Sequence, residues 1–322
     1  MKKILAFLIL SMAMVSCYDD FLKDFDYSAV YFPYQIDVRT LVVGEGMKIE
    51  IGVGLGGVSE NTIARNVAFN IDNSLITPAI LTKMKAGTAY IKESVTGVGT
   101  LLPLPTNYYT LSDNSSIVIK PGQHMGSVVL KADSTNFLAD ASTLKATYAI
   151  PLYIVSADAD SIIEPKRYAV IGLKYENMLF GTYWHGGVTT IKDASGNITQ
   201  TLKYYTTIPV PDNKTWKLTT VSPNALTING YSDQTTSKAE IRVTLGGGNI
   251  TISSVTGATK IILPDGTSSY NQAKLLQNRK IFLSYKFTNA DGTTSYAQDT
   301  LTFRNRIQDG VNIWQDENPS HY

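Results

Sequence analysis

The side chains of this 322-residue chain that could do chemistry are few: one cysteine, three histidines, three tryptophans and 27 acidic residues. His124, His185 and His321 stand too far apart for a zinc spacing motif, and a lone cysteine brings no second sulfur ligand. Asp158-Ala159-Asp160 offers oxygens to calcium, but it lacks the glycine-bearing loop and the distal glutamate of a calcium hand, so it reads as a solvated turn. A glycosidase needs two facing carboxylates, one with a raised pKa. Asp193, Asp212, Asp265 and Asp291 sit in turn contexts, where an aspartate is expected for backbone hydrogen bonding alone. No Gly-x-Ser-x-Gly occurs, and a histidine-based triad would have to borrow one of three scattered histidines. The expectation is a protein that is not an enzyme and that carries no metal and no cofactor.

Binding chemistry is better represented, because the chain has 19 tyrosines beside 10 phenylalanines. A solvent-facing ring offers a flat π surface to the C–H face of a sugar. Parity along a strand sorts the tryptophans. Trp216 in "WKLTTV" is in step with Leu218 and reads as core. Trp184 in "FGTYWHGG" shares parity with Val188 and resembles the Gly-x-Trp opening of lipocalin-like barrels, where the ring plugs one end. In "GVNIWQDEN", Val311 and Ile313 share one parity while Asn312, Trp314 and Asp316 share the other. Trp314 is therefore the first glycan-binding candidate, with Asn312 and Asp316 beside it and Tyr204, Tyr205 and Trp184 behind it. The competing reading is that Trp314 packs on the other half of the chain.

Cys17 has a different explanation. Lys2 and Lys3 precede an apolar run from Ile4 to Val15 and then Ser16, the order of a secretory signal. About a dozen apolar residues fall short of the ~20 that span a bilayer. Met14-Val15-Ser16-Cys17 resembles the lipobox at which bacterial lipoproteins are acylated and cut, with methionine where leucine is usual. Tyr18-Asp19-Asp20 is similar to the acidic signal that sends Bacteroidetes lipoproteins to the outer face of the outer membrane, so Asp19 and Asp20 are expected to act as an address. Residues 1–16 are then a signal peptide and 17–29 a lipidated flexible tether.

The elements that must hold these side chains alternate with period two. In "MKIEIGVGL", Ile49, Ile51, Val53 and Leu55 face one way and Lys48 and Glu50 the other; "NVAFNID", "SIVIK", "SVVLKA", "AIPLYIVSA" and "RYAVIGLKY" continue the pattern. Residues 74–92 and 134–146 are the stretches that could hold short helices. After Glu176 the hairpins are cleaner. "AEIRVTL" sets Ile241, Val243 and Leu245 against Glu240 and Arg242, and "KIFLSYKF" sets Ile281, Leu283, Tyr285 and Phe287 against Lys280, Ser284 and Lys286. Turn signals at Ser195-Gly196, Gly246–Gly248, Asp265-Gly266 and Asp291-Gly292 separate about eight strands. The chain reads as all-β: an Ig-like antiparallel β-sandwich over 30–175, then an antiparallel lipocalin/calycin-like β-barrel or sandwich over 176–322, with the boundary near 174–179.

The stretches "VYFPYQIDVRTLVVGEGMKIEIGVGLGGVSENTIARNVAFNID" and "NYYTLSDNSSIVIKPGQHMGSVVLKAD", with "YAIPLYIVSA" and "RYAVIGL" after them, resemble the amino-terminal domain of a family of Bacteroidetes surface lipoproteins, a domain of unknown function. The resemblance covers roughly residues 28–175; residues 177–322 look more loosely like its usual β-rich partner. It implies a place in a polysaccharide-utilisation locus, beside an outer-membrane transporter and its lid-like lipoprotein, and a role in holding glycan at the cell surface. It carries over no catalytic or binding residue.

Composition fits. With 43% hydrophobic and 17% charged residues the chain can bury a sizeable core. Losing Lys2 and Lys3 with the signal leaves 26 basic against 27 acidic residues, a formal net charge of −1. No basic cluster is visible along the sequence, which argues against a nucleic-acid partner. The leading expectation is a glycan-binding lipoprotein on the outer membrane. The alternatives are a structural or adhesive fimbrial-type lipoprotein built by strand exchange and, behind it, a glycan-processing enzyme.

Overall fold

The computed structural model describes residues 26–204, 214–308, 311–313 and 318. The amino-terminal half is a two-sheet β-sandwich. One sheet orders Ser161–Ile162, Asp26–Tyr31, Lys48–Val58, Met125–Ala132 and Tyr109–Leu111; the other orders Ile36–Val43, Tyr168–Asn177, Tyr148–Ala157, Arg65–Ile71 and Ser116–Ile119. Most pairings are antiparallel, as expected. Three are parallel: Ile36–Val43 beside Tyr168–Asn177, Asp26–Tyr31 beside Ser161–Ile162, and the short Leu102–Pro103 beside Tyr148–Ala157.

The alternation expected of Tyr168–Asn177 does not hold, because nearly all of that strand is buried. The cause is cover on both faces. Ile171 and Leu173 enter the sandwich core, while Val170 joins Ile80, Leu81 and Met84 of the helix Pro78–Lys85 on the other side. Pro78 at the helix start supplies the fixed φ and loses no intrahelical bond. That helix and Ser134–Ala139 fall in the two stretches read as helical, and Ala89–Ser94 begins in the first and runs two residues past it.

The tether expectation needs correcting at its end. Residues 26–29 are already strand, with Ala29 paired to Gly56 and Ser161. Asp160 accepts hydrogen bonds from the Ser28 backbone N–H at 2.7 Å and from its hydroxyl at 2.6 Å. The 158–160 turn thus pins the entering strand.

The carboxy-terminal half settles the choice left open by the sequence, for it is a closed eight-stranded barrel. The staves are Gly181–Lys192, Thr215–Ser222, Ala225–Ile228, Ile241–Gly246, Asn249–Ser254, Ser268–Tyr270, Lys280–Thr288 and Thr294–Asn305, and the last pairs back onto the first from Thr182 to Lys192. Closure removes the sheet edges that a sandwich would leave, and a barrel of this size is filled by its own side chains. Ile241, Val243, Ile281, Leu283, Tyr285 and Phe287 all point inward and are buried, each aliphatic contributing ~1.5–3 kcal/mol. Trp216 is fully buried among them, and its Nε1 donates to the Gln234 carbonyl at 3.0 Å. Gly230 is required there, since a Cβ would stand 2.2 Å from that nitrogen. Glu240, read as outward, is instead fully buried, because the Thr259 N–H and hydroxyl both donate to it.

The last sandwich strand ends at Asn177 and the first stave begins at Gly181. Glu45, in the turn before Lys48–Val58, crosses this junction. Its carboxylate meets Arg279 at 2.6 Å and Arg306 at 2.8 Å, all three side chains being almost wholly buried. The Met178 carbonyl accepts from both guanidinium groups.

Candidate functional site

Barrel closure brings together side chains from strands far apart in sequence. Partners directly opposite each other in a sheet point to the same side, so the printed register defines rows on the outer wall. Trp184, Thr302 and Lys280 form one row, and Gly186, Thr300 and Phe282 the next. Lys203, Val188, Gln298 and Ser284 follow, then Thr201, Thr190, Tyr296 and Lys286. Three rings therefore share this face. From Trp184 to the Tyr296 row is six residues, ~20 Å along the strands, and Phe282 lies between them on the neighbouring stave. A shallow cleft of about 690 Å3 opens at the centre, lined by Phe282, Val188, Lys203, Ser284, Gln298 and Thr300 among others.

The rings are not equally available. The Arg304 guanidinium lies over Trp184, 4.6 Å from the ring centre, and Lys192 lies over Tyr296 at 4.8 Å. Phe282 is 40% exposed, a large apolar ring at a position whose strand neighbours on the same face are polar.

Beneath the wall is a buried polar cluster that holds the face in shape. Asp299 faces inward and accepts from the Tyr204 hydroxyl at 2.6 Å and from the Tyr285 hydroxyl at 2.5 Å. His185 Nε2 stands 3.3 Å from the same carboxylate, its ring stacked on Trp216 at 3.5 Å. The Ser232 N–H donates to the Tyr285 oxygen at 2.6 Å. Burial first, then the adjacent Asp299 charge, pushes both the Tyr204 and Tyr285 hydroxyls well above the ordinary tyrosine pKa, so both stay protonated donors. Gly187 makes room for the carboxylate, as a Cβ there would meet the Gln298 carbonyl at 2.2 Å and Asp299 Oδ1 at 3.0 Å.

The sandwich offers a second cleft, of about 710 Å3, between Ile36–Val43 and the sheet of Lys48–Val58 and Met125–Ala132. Tyr34, Val118 and Met125 line it and are exposed. Arg39 pairs with Asp37 at 2.6 Å and Glu50 accepts from Ser127 at 2.9 Å, while Lys120 also lines the cleft.

Of the side chains singled out in the sequence, Trp184 does lie on the outer wall, half-buried under Arg304 instead of plugging the barrel end; Trp216 occupies the core. Tyr204 turns inward to Asp299 and is not an open platform. Cys17, Asp19, Asp20, Tyr205, Trp314 and Asp316 lie outside the described residues. Asn312 is described only as backbone, in the two-residue strand Val311–Asn312. Among the described residues, no three histidine, cysteine, aspartate or glutamate side chains group as metal ligands. Sequence reading passed over Phe282 and Tyr296, although both sit on the polar parity of their strands, the same signal that drew attention to Trp314.

Residues 25–161 match a family model described as a "-like, N-terminal domain". The match falls on the sandwich and covers less than half of the chain. The sandwich and barrel together are similar to a Bacteroides ovatus protein of unknown function, at 22% identity and a TM-score of 0.62 over 87% of this chain and 95% of that one. A second Bacteroides ovatus protein of unknown function overlaps less well, with 13% identity and a TM-score of 0.42 over 91% of this chain and 98% of that one. A Bacteroides thetaiotamicron protein solved with a Man5GlcNAc product covers 44% of this chain and 28% of its own, at 14% identity and a TM-score of 0.27, too low to argue from. No curated protein matches the chain. The first of these likenesses shows the fold of both halves in a single Bacteroides chain, consistent with the resemblance to a Bacteroidetes domain of unknown function.

Proposed function

We propose that the protein is a cell-surface glycan-binding lipoprotein, anchored in the outer membrane through Cys17, that holds polysaccharide for an outer-membrane transporter and its lid-like lipoprotein without cleaving it. The observation that carries this reading is the outer wall of the barrel, where an exposed Phe282 ring borders a cleft of about 690 Å3 among hydroxyl and amide side chains. An apolar ring supplies the stacking surface for a sugar, and Ser284, Gln298 and Thr300 supply donors and acceptors around it. Asp299, the one carboxylate in the three staves of this wall, is turned inward and holds two tyrosine hydroxyls, so these staves bring no second carboxylate to the cleft for glycosidic chemistry. Among the described residues no helix is long and apolar enough to cross a membrane, and the proposed anchor is the acylated cysteine.

The test is a glycan array probed with the whole chain, followed by incubation of each bound glycan and analysis for shortened products. Binding without products supports the reading; products, or an array with no signal, overturn it. Mass spectrometry of the native amino terminus is expected to show an acylated Cys17.

A further inference from the structure

We propose that the barrel wall takes an acidic polysaccharide, one whose sugars carry carboxylate or sulfate groups; this rests on the glycan-binding reading above and narrows its ligand. The whole chain has a formal charge of only +1, yet charge on this wall is segregated. Lys192, Lys203, Lys217, Lys280, Lys286 and Arg304 all occupy outward positions on the strands Gly181–Lys192, Ile198–Tyr204, Thr215–Ser222, Lys280–Thr288 and Thr294–Asn305. Those five strands contain a single carboxylate, Asp299, and it points into the barrel. Asp265, from a neighbouring turn, reaches Lys286 at 3.2 Å. A face on which one sign predominates raises the local concentration of an oppositely charged polymer.

The cations are also stationed on the rings. Arg304 covers Trp184, while Lys192 and Lys286 sit over Tyr296 at 4.8 and 5.7 Å. A site for neutral sugars would keep its ring faces bare for stacking. Here two rings support cations through their π faces, and Phe282 alone stays open. The two charged ends lie ~20 Å apart along the strands, with the Phe282 cleft between them, so the wall fits an extended polymer with repeated charges better than a small anion. Nucleic acid fits less well, because single-strand binders rely on successive open rings for base stacking. A wall studded with Thr190, Thr300 and Thr302 offers hydroxyls to sugars.

Calorimetry on the whole chain with polygalacturonate, alginate and heparin oligosaccharides, against a neutral maltooligosaccharide of equal length, tests this at about 50 and 200 mM salt. At least one acidic glycan is expected to bind about tenfold or more tightly than the neutral one and to weaken as salt rises. The Lys192→Gln/Lys286→Gln pair should cost about tenfold for that glycan and little for the neutral one, with an unchanged melting temperature. Neutral binding of equal strength and no salt dependence overturns the acidic class while leaving glycan binding intact. No binding to any glycan, or tighter binding to single-stranded oligonucleotide or phosphatidylglycerol vesicles, overturns both.

Discussion

Two clefts of similar size, about 710 Å3 in the sandwich and 690 Å3 on the barrel wall, differ in the balance of their charges. In the sandwich, Asp37 and Arg39 neutralise each other and Glu50 is held by Ser127. On the barrel, Lys286 reaches Asp265 from a neighbouring turn, but Arg304 and Lys192 rest on rings, and the one carboxylate within the strands is turned inward. Charge already matched inside the protein favours a fixed shape; charge left unmatched at the surface is available to a partner. The same contrast separates the buried junction, where Glu45 satisfies two arginines, from the wall.

That contrast orders the expected effects. The largest belongs to the junction: Glu45→Ala leaves Arg279 and Arg306 buried without their carboxylate and should cost ~3–5 kcal/mol, read as a fall in thermal or denaturant stability; a loss under ~1 kcal/mol would mean the arginines find other partners. The same logic predicts that a chain beginning at residue 177, deprived of Glu45, folds with lower stability than its fully closed barrel suggests. Next comes the cluster under the wall. Tyr285→Phe removes one donor from the buried Asp299 and should cost ~1.5–3 kcal/mol while leaving the outer rings in place, so glycan affinity is expected to hold at temperatures where the variant is folded. The smallest effect is in the sandwich. Burial pushes the Asp140 carboxyl up, but hydrogen bonds from Tyr148, Ser142 and Tyr108 outweigh it and hold it below its ordinary value. A depressed carboxyl stabilises the fold above its unfolded pKa, and that contribution is lost as pH falls through the folded value. Tyr148→Phe should therefore melt lower than the parent at neutral pH, and the gap should close in acid below the ordinary carboxylate range; a gap independent of pH would assign the effect to packing.

Much of the fold was legible because strands with one covered face must alternate. Ile241, Val243, Ile281, Leu283 and Tyr285 were placed correctly by period alone, and the marked turns at 195–196, 265–266 and 291–292 fall between strands. Tyr168–Asn177 was not, since cover on both faces erases the alternation. Glu240 misled for a related reason: its partner Thr259 is a loop residue that no period reports. The site was less legible. Phe282 stands out in "KIFLSYKF" as an apolar ring on the polar parity, but its meeting with Trp184 and Tyr296 depends on a closing register between strands about a hundred residues apart, and the charge segregation appears only once those strands are side by side.

The central claim is that the barrel wall and not the sandwich groove holds glycan, and paired substitutions measure it directly. Phe282→Ala and Tyr34→Ala are both exposed truncations, one in each cleft, so neither should move the melting temperature much. Calorimetry with one array-selected oligosaccharide is predicted to show about a tenfold loss, ~1.4 kcal/mol, for Phe282→Ala and parental affinity for Tyr34→Ala. Parental affinity in Phe282→Ala with a tenfold loss in Tyr34→Ala would contradict the account.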